Sequence, residues 1–455
     1  MTTAASPGQV LTVLLVGVLM AALDIGIVGP ALPAIQADFG VDERMLSWVF
    51  GIYILFQLIG APVMAKLSDR SGRRDVYIAC VSVFAASSLI VVVAPNLTVL
   101  LLGRAIQGFC AGGILPVASA VIGDTFPAEK RGRALGLIGA IFGIAFLLGP
   151  LLGGILLRWG WQFLFLLNLP IAAVVLWRSW RILPVARKTE FQPLDVAGIL
   201  LLSVMLGAMA LGISSLDVSD LVGSIVSPRV LPLFFVSIVG GLALRVVQRR
   251  AQDPVLHPEL LNSRELRLVG TIALATGMAE ASMIFLPAFA VATLNVAEST
   301  ASFMMVPLVL AITVGSPAAG RMSDRVGPKT VIQIGLATTV MGLLVLGLAD
   351  ISVASFLTAG VFVGIGMSAL IAPLRFVVIR EVSAAQRGAG QGLLVTFLGI
   401  GRLIGSAMVG GVAASSADQA SGYQNALLFA ALLLAAAAVV SSGLKRRERV
   451  RTGGI

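Results

Sequence analysis

Asp24 and Glu280 are the two carboxylates that lie well inside long apolar runs, out of 22 acidic residues in the chain. Removing a carboxylate from water favours its neutral form, so an acid in an apolar stretch can take up and release a proton instead of staying permanently charged. Arg104 lies equally deep, and an unpaired cation there costs about 2.5–3.5 kcal/mol or more, so it requires an acid or water inside the protein. The chemistry open to these three residues is proton exchange, with a purely structural ion pair as the plainer alternative. His257 is the single histidine and falls in a polar stretch, which gives little support to a Ser-His-Asp triad or a histidine metal site. Cys80 and Cys110 both fall in apolar runs and read as small packing residues, so neither a disulfide nor a metal is expected. No cofactor is expected beyond a proton gradient. Arg402 is another buried charge, whose role the sequence does not give, and Arg375 stands close enough to the end of its run to reach the membrane surface.

The runs that hold these residues make the chain a membrane protein. With 58% hydrophobic and 12% charged residues and a mean hydropathy of +1.00, it is too apolar for a soluble globule of 455 residues. A helix needs about 20 apolar residues to cross a ~30 Å hydrocarbon core. Fourteen such spans are predicted, at 10–34, 48–66, 76–94, 98–122, 132–157, 163–182, 197–214, 230–247, 266–294, 300–320, 330–349, 353–379, 388–414 and 425–444.

The net charge of +10 does not point to nucleic acid, because the basic residues sit in short loops between apolar runs rather than on one polar face. Lys66, Arg70, Arg73 and Arg74, then Lys130, Arg131 and Arg133, then Arg178, Arg181, Arg187 and Lys188, and finally the tail "KRRERVR" at 445–451 all fall on one side. The opposite loops hold Arg44, Arg158 and Arg229. Lysine and arginine concentrate in cytoplasmic loops, so both termini are expected in the cytoplasm. The N-terminus lacks a basic n-region, and Asp24 interrupts its apolar run, so it does not read as a cleaved signal.

A duplication organises the spans. The segment "AKLSDRSGRRDV" at 65–76 returns as "GRMSDRVGPKTV" at 320–331, and 131–154 aligns with 387–410, so Asp69 maps onto Asp324 and Arg131 onto Arg387. The expected fold is an all-α integral membrane protein of two pseudo-symmetric six-helix bundles, 1–183 and 261–455, the second ending in the basic tail. Residues 184–260 supply linkers and two inserted spans. Asp24 and Glu280 are then the mid-span acids of the first helix of each half, which the pseudo-symmetry brings to a central cavity.

These residues resemble the major facilitator superfamily, and within it the fourteen-helix drug:proton antiporter family, over essentially the whole chain. The superfamily's loop pattern G-x-L-a-D-R-x-G-R-[RK] is met by Leu67, Asp69, Arg70, Gly72, Arg73 and Arg74, with Ala65 at the first glycine. Gly320, Asp324, Arg325, Gly327 and Lys329 match in the second copy, where Pro328 replaces one arginine. The resemblance implies a conformational gate that stabilises the outward-facing state, with Asp124 at the end of span 4 as partner acid. Enforcing topology is the plainer role for the arginines. Arg104, Gln107 and Gly108 match the family's R-x-x-Q-G, which implies for Arg104 a part in proton transfer through a nearby acid. Gly149, Pro150, Gly153 and Gly154 resemble a signature shared among exporters; its glycines permit close backbone approach and its proline a bend. "LDIGIVGPALP" at 23–33 resembles the family's L-D-x-T-I-V-N-x-A-L-P, with Gly26 and Gly29 in place of threonine and asparagine.

Tyr53, Gln57, Gln107, Met278, Met283, Phe285 and Phe289 are candidates to line a pocket for a lipophilic molecule, although packing or lipid contact accounts for the apolar ones equally well. The chain is therefore expected to be a monomeric, proton-coupled exporter of lipophilic, cationic compounds in the cell membrane, working by alternating access. A lipid or a specific metabolite is the competing cargo. A polytopic enzyme or sensor is the competing class, disfavoured because the loops carry no cluster of Asp, Glu or His. No G-x-x-x-x-G-K-[ST] loop is present, so the energy source is not an ATPase of its own.

Overall fold

The computed structural model describes residues 6–184, 195–217, 219–251, 254, 259–383, 386–416 and 418–445. Arg187, Lys188, His257 and the basic residues beyond Lys445 lie outside the described residues. The first half runs α1 (Pro7–Phe39), α2 (Glu43–Ser71), α3 (Arg73–Val92), α4 (Leu97–Thr125), α5 (Ala128–Leu156), α6 (Gln162–Leu166) and α7 (Asn168–Ile182). The middle of the chain forms α8 (Val196–Ser214), α9 (Leu221–Ile225) and α10 (Leu231–Gln248). The second half runs α11 (Arg264–Ile284), α12 (Leu286–Leu294), α13 (Glu298–Met304), α14 (Val306–Val326), α15 (Pro328–Leu348), α16 (Val353–Ser368), α17 (Ile371–Glu381), α18 (Arg387–Ala414) and α19 (Gln419–Ser441). Among the described residues no strand is present.

Thirteen helical stretches are long and apolar enough to cross a membrane, and the count reaches fourteen with the pair α11 and α12, which meet at a bend of 43°. Pro287 in the first turn of α12 explains the break, since it cannot donate a backbone hydrogen bond and crowds the preceding turn. The helix ends follow local chemistry. Ser6 caps α1 with a reciprocal capping box through Gln9, and the Asp42 carboxylate accepts from the Met45 amide to start α2.

The repeated loop owes its glycine to geometry. Gly72 between α2 and α3 has φ of 105°, and Gly327 between α14 and α15 has φ of 91°, a region in which side chains are disfavoured. Each glycine donates to the last turn of the helix before it, Gly72 to the Ser68 carbonyl at 3.1 Å and Gly327 to Ser323 at 3.0 Å. The duplication seen in the sequence is thus a duplicated turn.

Small residues let the bundle helices meet backbone to backbone. A Cβ on Gly149 of α5 would stand 2.5 Å from the Gly26 carbonyl oxygen of α1, and Gly153 and Gly154 face Pro30, Ser302 and Phe303. The Ser302 hydroxyl of α13 donates to the Pro150 carbonyl at 2.7 Å. This end of α5, away from the basic loops, therefore closes against the second half. On the other seam α2 packs on α18, with Gly51 against Ser406 and Leu403, Gly399 against Leu58, and Gly410 against Ser47.

Toward the basic loops the same helices part. Gly136 and Gly143 of α5, and Gly388 and Gly392 of α18, have open space where a side chain would project. The halves are splayed at the basic end and shut at the opposite end. The inserted helix α8 packs on both α2 and α18, so it lies over one seam, and α10 packs on α8. Arg44 Nη2 of α2 donates to the Leu216 carbonyl just past α8 at 3.3 Å.

Replacing Gly149 with Val is expected to destabilise the protein by about 1–3 kcal/mol through overpacking. Thermal unfolding of the detergent-purified chain should show the loss as a lowered melting temperature; an unchanged midpoint would contradict the α1–α5 contact.

Candidate functional site

Asp24 and Arg104 form an ion pair of 2.5 Å between Asp24 Oδ2 and Arg104 Nη1, both side chains fully buried. The pair is the centre of a network. Arg104 Nη1 also donates to Gln107 Oε1 at 2.9 Å, and Arg104 Nε donates to the Val49 carbonyl of α2 at 3.1 Å. Asn168 at the start of α7 donates from Nδ2 to Asp24 Oδ1 at 2.9 Å. Gln107 Nε2 and Asn168 Nδ2 both reach the Ser88 hydroxyl of α3, at 2.8 Å and 3.2 Å. The guanidinium lies over the Tyr53 ring at 4.3 Å and the Phe165 ring at 5.5 Å, and such faces favour a cation.

Six helices of the first half, α1, α2, α3, α4, α6 and α7, thus contribute to one charge-neutral, buried cluster. Removing one partner of such a pair strands the other charge in low dielectric, so the network holds the bundle together. Arg104 Nη2 and Asn168 Oδ1 have no partner among the described residues, which leaves the cluster one donor and one acceptor in reserve.

The matching acid in the second half is paired differently. Glu280 of α11 accepts from Arg402 Nε of α18 at 2.6 Å, with side-chain exposures of 18% for the acid and 26% for the arginine. Ile284, one turn beyond Glu280, has its backbone against Gly29 of α1. Gly399, one turn before Arg402, meets Leu58 of α2. The pair therefore sits on the seam, where the halves begin to part. The acids occupy corresponding helices of the two halves but their arginines do not, Arg104 coming from the fourth helix of its half and Arg402 from the fifth. The sequence leads one to expect both acids at a central cavity; in the structure Glu280 keeps partial exposure at the seam, whereas Asp24 is fully buried in the first bundle, bonded to Arg104 and Asn168.

The gate residues of the first copy assemble as a cluster at the basic end. Arg73 pairs with Asp124 of α4 and with Asp69 at 3.4 Å, and donates to the Ala120 carbonyl at 2.5 Å. Arg74 donates to the Trp180 carbonyl of α7 at 2.5 Å and lies 5.4 Å from the Trp180 ring. Asp69 and Asp124 are about half exposed, so these pairs bias geometry more than they add stability. Asp69 and Arg70, like Asp324 and Arg325 of the second copy, have exposed side chains.

In the second copy Pro328 stands in place of Arg73, and a different cation closes the cluster. Lys445, after α19, pairs with Glu381 at the end of α17 at 3.2 Å, and its amide donates to Glu265 Oε1 at 2.8 Å. Ser263 donates to Glu381 at 2.8 Å, and Lys329 Nζ donates to the Leu444 carbonyl at 2.8 Å.

The candidate pocket residues separate into two groups. Tyr53, Gln107, Met278, Phe285 and Phe289 are buried, and Phe289 packs on Phe356 and Tyr423 within the second bundle at 6.2 Å and 6.4 Å. In this state these five have little exposed surface and pack within the bundles, and helical spacing alone does not tell a buried face from a cavity face. Gln57 and Met283 keep partial exposure. Sequence reasoning missed Asn168 and Ser88, although an asparagine inside "FLFLLNLP" is the kind of polar interruption that marks a buried partner. It also missed Glu381 and Lys445, which only the folded loops bring together.

A family model described as Major Facilitator Superfamily matches residues 14–248 and 268–454. Among similar curated proteins, an uncharacterised MFS-type transporter, YfiU, of Bacillus subtilis (strain 168) is 35% identical over 412 residues, covering 89% of this chain and 79% of that protein. The multidrug resistance protein Stp of Mycobacterium tuberculosis (strain ATCC 25618 / H37Rv) is 29% identical, covering 88% and 74%. A triacylglyceride transporter of Mycolicibacterium hassiacum is 30% identical, covering 86% and 76%. In fold, the chain is similar to a bacterial homologue of the human lysosomal transporter Spinster, solved inward-facing and unoccupied, with a TM-score of 0.69, 16% identity and 96% of each chain covered.

Arg104→Gln alone should destabilise the fold by about 3–5 kcal/mol, because it strands the Asp24 carboxylate. The double variant Asp24→Asn with Arg104→Gln should recover most of that loss, read as melting temperature in detergent. Equal losses in the single and double variants would exclude the pairing as the cause.

Proposed function

The chain belongs to the major facilitator superfamily and is a cell-membrane transporter rather than an enzyme, and we propose that it exports lipophilic small molecules in exchange for protons. The basic loops are assigned to the cytoplasm by their arginine and lysine content, so the splayed end is the cytoplasmic one and the described state is open inward. Relatives named for multidrug resistance and for triacylglyceride transport support a lipophilic cargo.

The observation that carries the reading is the Glu280–Arg402 pair on the seam. Of the two acid–base pairs it is the one that keeps exposed surface in this state. A proton arriving at Glu280 neutralises the carboxylate and releases Arg402, changing what holds α11 to α18. Because α18 packs across the seam on α2, a change there is felt by the contact between halves. The Asp24–Arg104 cluster is the second candidate proton site, and in this state it ties α1 to α4 so that the half moves as a body. Exchange follows if cargo and proton compete for the state of the seam pair, since a ligand shifts the equilibrium only by its differential affinity for the two states. A lipophilic cation, the cargo class expected from the sequence, can enter this site only by displacing Arg402 from Glu280; a neutral cargo needs no such exchange.

The Arg73–Asp124–Asp69 cluster would act as the latch that re-forms contacts with the other half when the cytoplasmic end closes. Purified protein in liposomes with an imposed pH gradient tests the scheme. Glu280→Gln should lose gradient-driven dye movement by about a hundredfold while still inserting and folding, and Asp24→Asn should lose it too, with some loss of stability. Wild-type rates in both variants would defeat the proton assignment.

A further inference from the structure

The seam pair has a neighbour that the export scheme does not use. Arg375 lies on α17, which packs against both α11, the helix of Glu280, and α18, the helix of Arg402. Its backbone carbonyl accepts from Gln391 Nε2 of α18 at 3.2 Å. Gln391, Val395 and Arg402 recur along one side of α18, at spacings of four and seven residues that keep them on one face, and Gly388, a turn before Gln391, has open space beside it. Arg375 is exposed although it belongs to a membrane-crossing stretch, so it borders the same opening as the pair. It is also within electrostatic range of both Arg402 and Glu280. Among the described residues its guanidinium forms no ion pair, and Glu280 is already committed to Arg402.

The opening therefore presents two guanidiniums and a single carboxylate. A cation placed there meets net repulsion. A molecule with an acidic group supplies the missing counter-charge, and a carboxylate or sulfonate accepts two parallel N–H bonds from a guanidinium fork. We propose that Arg375 is the specificity-determining residue of this transporter and selects lipophilic molecules carrying one acidic group, a reading that rests on the export function above. Direction agrees with charge: an inside-negative potential drives an anion out and a proton in, so both halves of the exchange run downhill electrically.

Three probes sharing a dansyl ring test it, one carrying a carboxylate, one its neutral methyl ester, one a quaternary ammonium. Their fluorescence reports binding to the detergent-purified full-length protein. The wild type should bind the carboxylate probe most tightly. Arg375→Gln should weaken that probe by about tenfold and leave the ester unchanged, the loss of one charge-assisted contact, while Arg375→Lys should retain most of the affinity and Arg375→Glu should favour the ammonium probe. Ester binding checks folding of each variant, and should Arg375→Gln fail that check the Lys and Glu variants decide. Tighter ammonium than carboxylate binding by the wild type, or carboxylate binding indifferent to Arg375→Gln or Arg375→Glu, overturns the proposal. The same probes in liposomes separate the two claims: if none moves under a pH gradient while the binding order holds, the export reading falls and the anion site stands.

Discussion

A charge placed inside an apolar bundle must bring its partner with it, and the fully buried Asp24–Arg104 pair shows how far that constraint reaches. To satisfy the guanidinium and the carboxylate, the chain spends Gln107, Asn168, Ser88, the Val49 carbonyl and two aromatic faces, drawn from nearly every helix of the first half. Each partner fixes the rotation of the helix that carries it. The close approach of α1 and α5 at Gly26 and Gly149 is compatible with that rotation, so the polar cluster and the small-residue contacts agree on one arrangement.

Much of this was legible in the sequence because membrane physics leaves few options. Apolar runs can only be helices, and the repeated loop could only be a duplicated turn once its glycine was seen twice. Asp24, Glu280 and Arg104 stood out because charge is rare in such runs. What stayed hidden was which way each side chain faced. Asp24 and Glu280 read alike along the chain, yet one is enclosed and the other half-open, because their arginines come from non-equivalent helices. Phe285 and Phe289 read as pocket lining for the same reason: an apolar residue on a membrane helix has three possible neighbours, and hydropathy does not rank them. The 43° bend between α11 and α12 interrupts the helix between Glu280 and Phe289, so a single helical period does not run through both.

The two halves also differ in how their basic ends are tied. In the first, Arg73 reaches a carboxylate on its own bundle from within the repeated loop. In the second, proline occupies that place, and the segment after α19 folds back to supply Lys445 to Glu381 and Glu265. A lost arginine has been replaced by a cation distant in sequence, so one half is latched by its loop and the other by the end of its last helix. A duplicated fold can in this way lose its internal symmetry without losing charge balance at equivalent points.

The inserted helix α8 bridges α2 and α18 along one side of the molecule, and α10 lies outside it. No such cover lies over the meeting of α5 and α14 among the described residues. The two flanks of the molecule are therefore unequal: acyl chains along the α2–α18 side meet an extra pair of spans, whereas along the α5–α14 side they meet the two halves themselves.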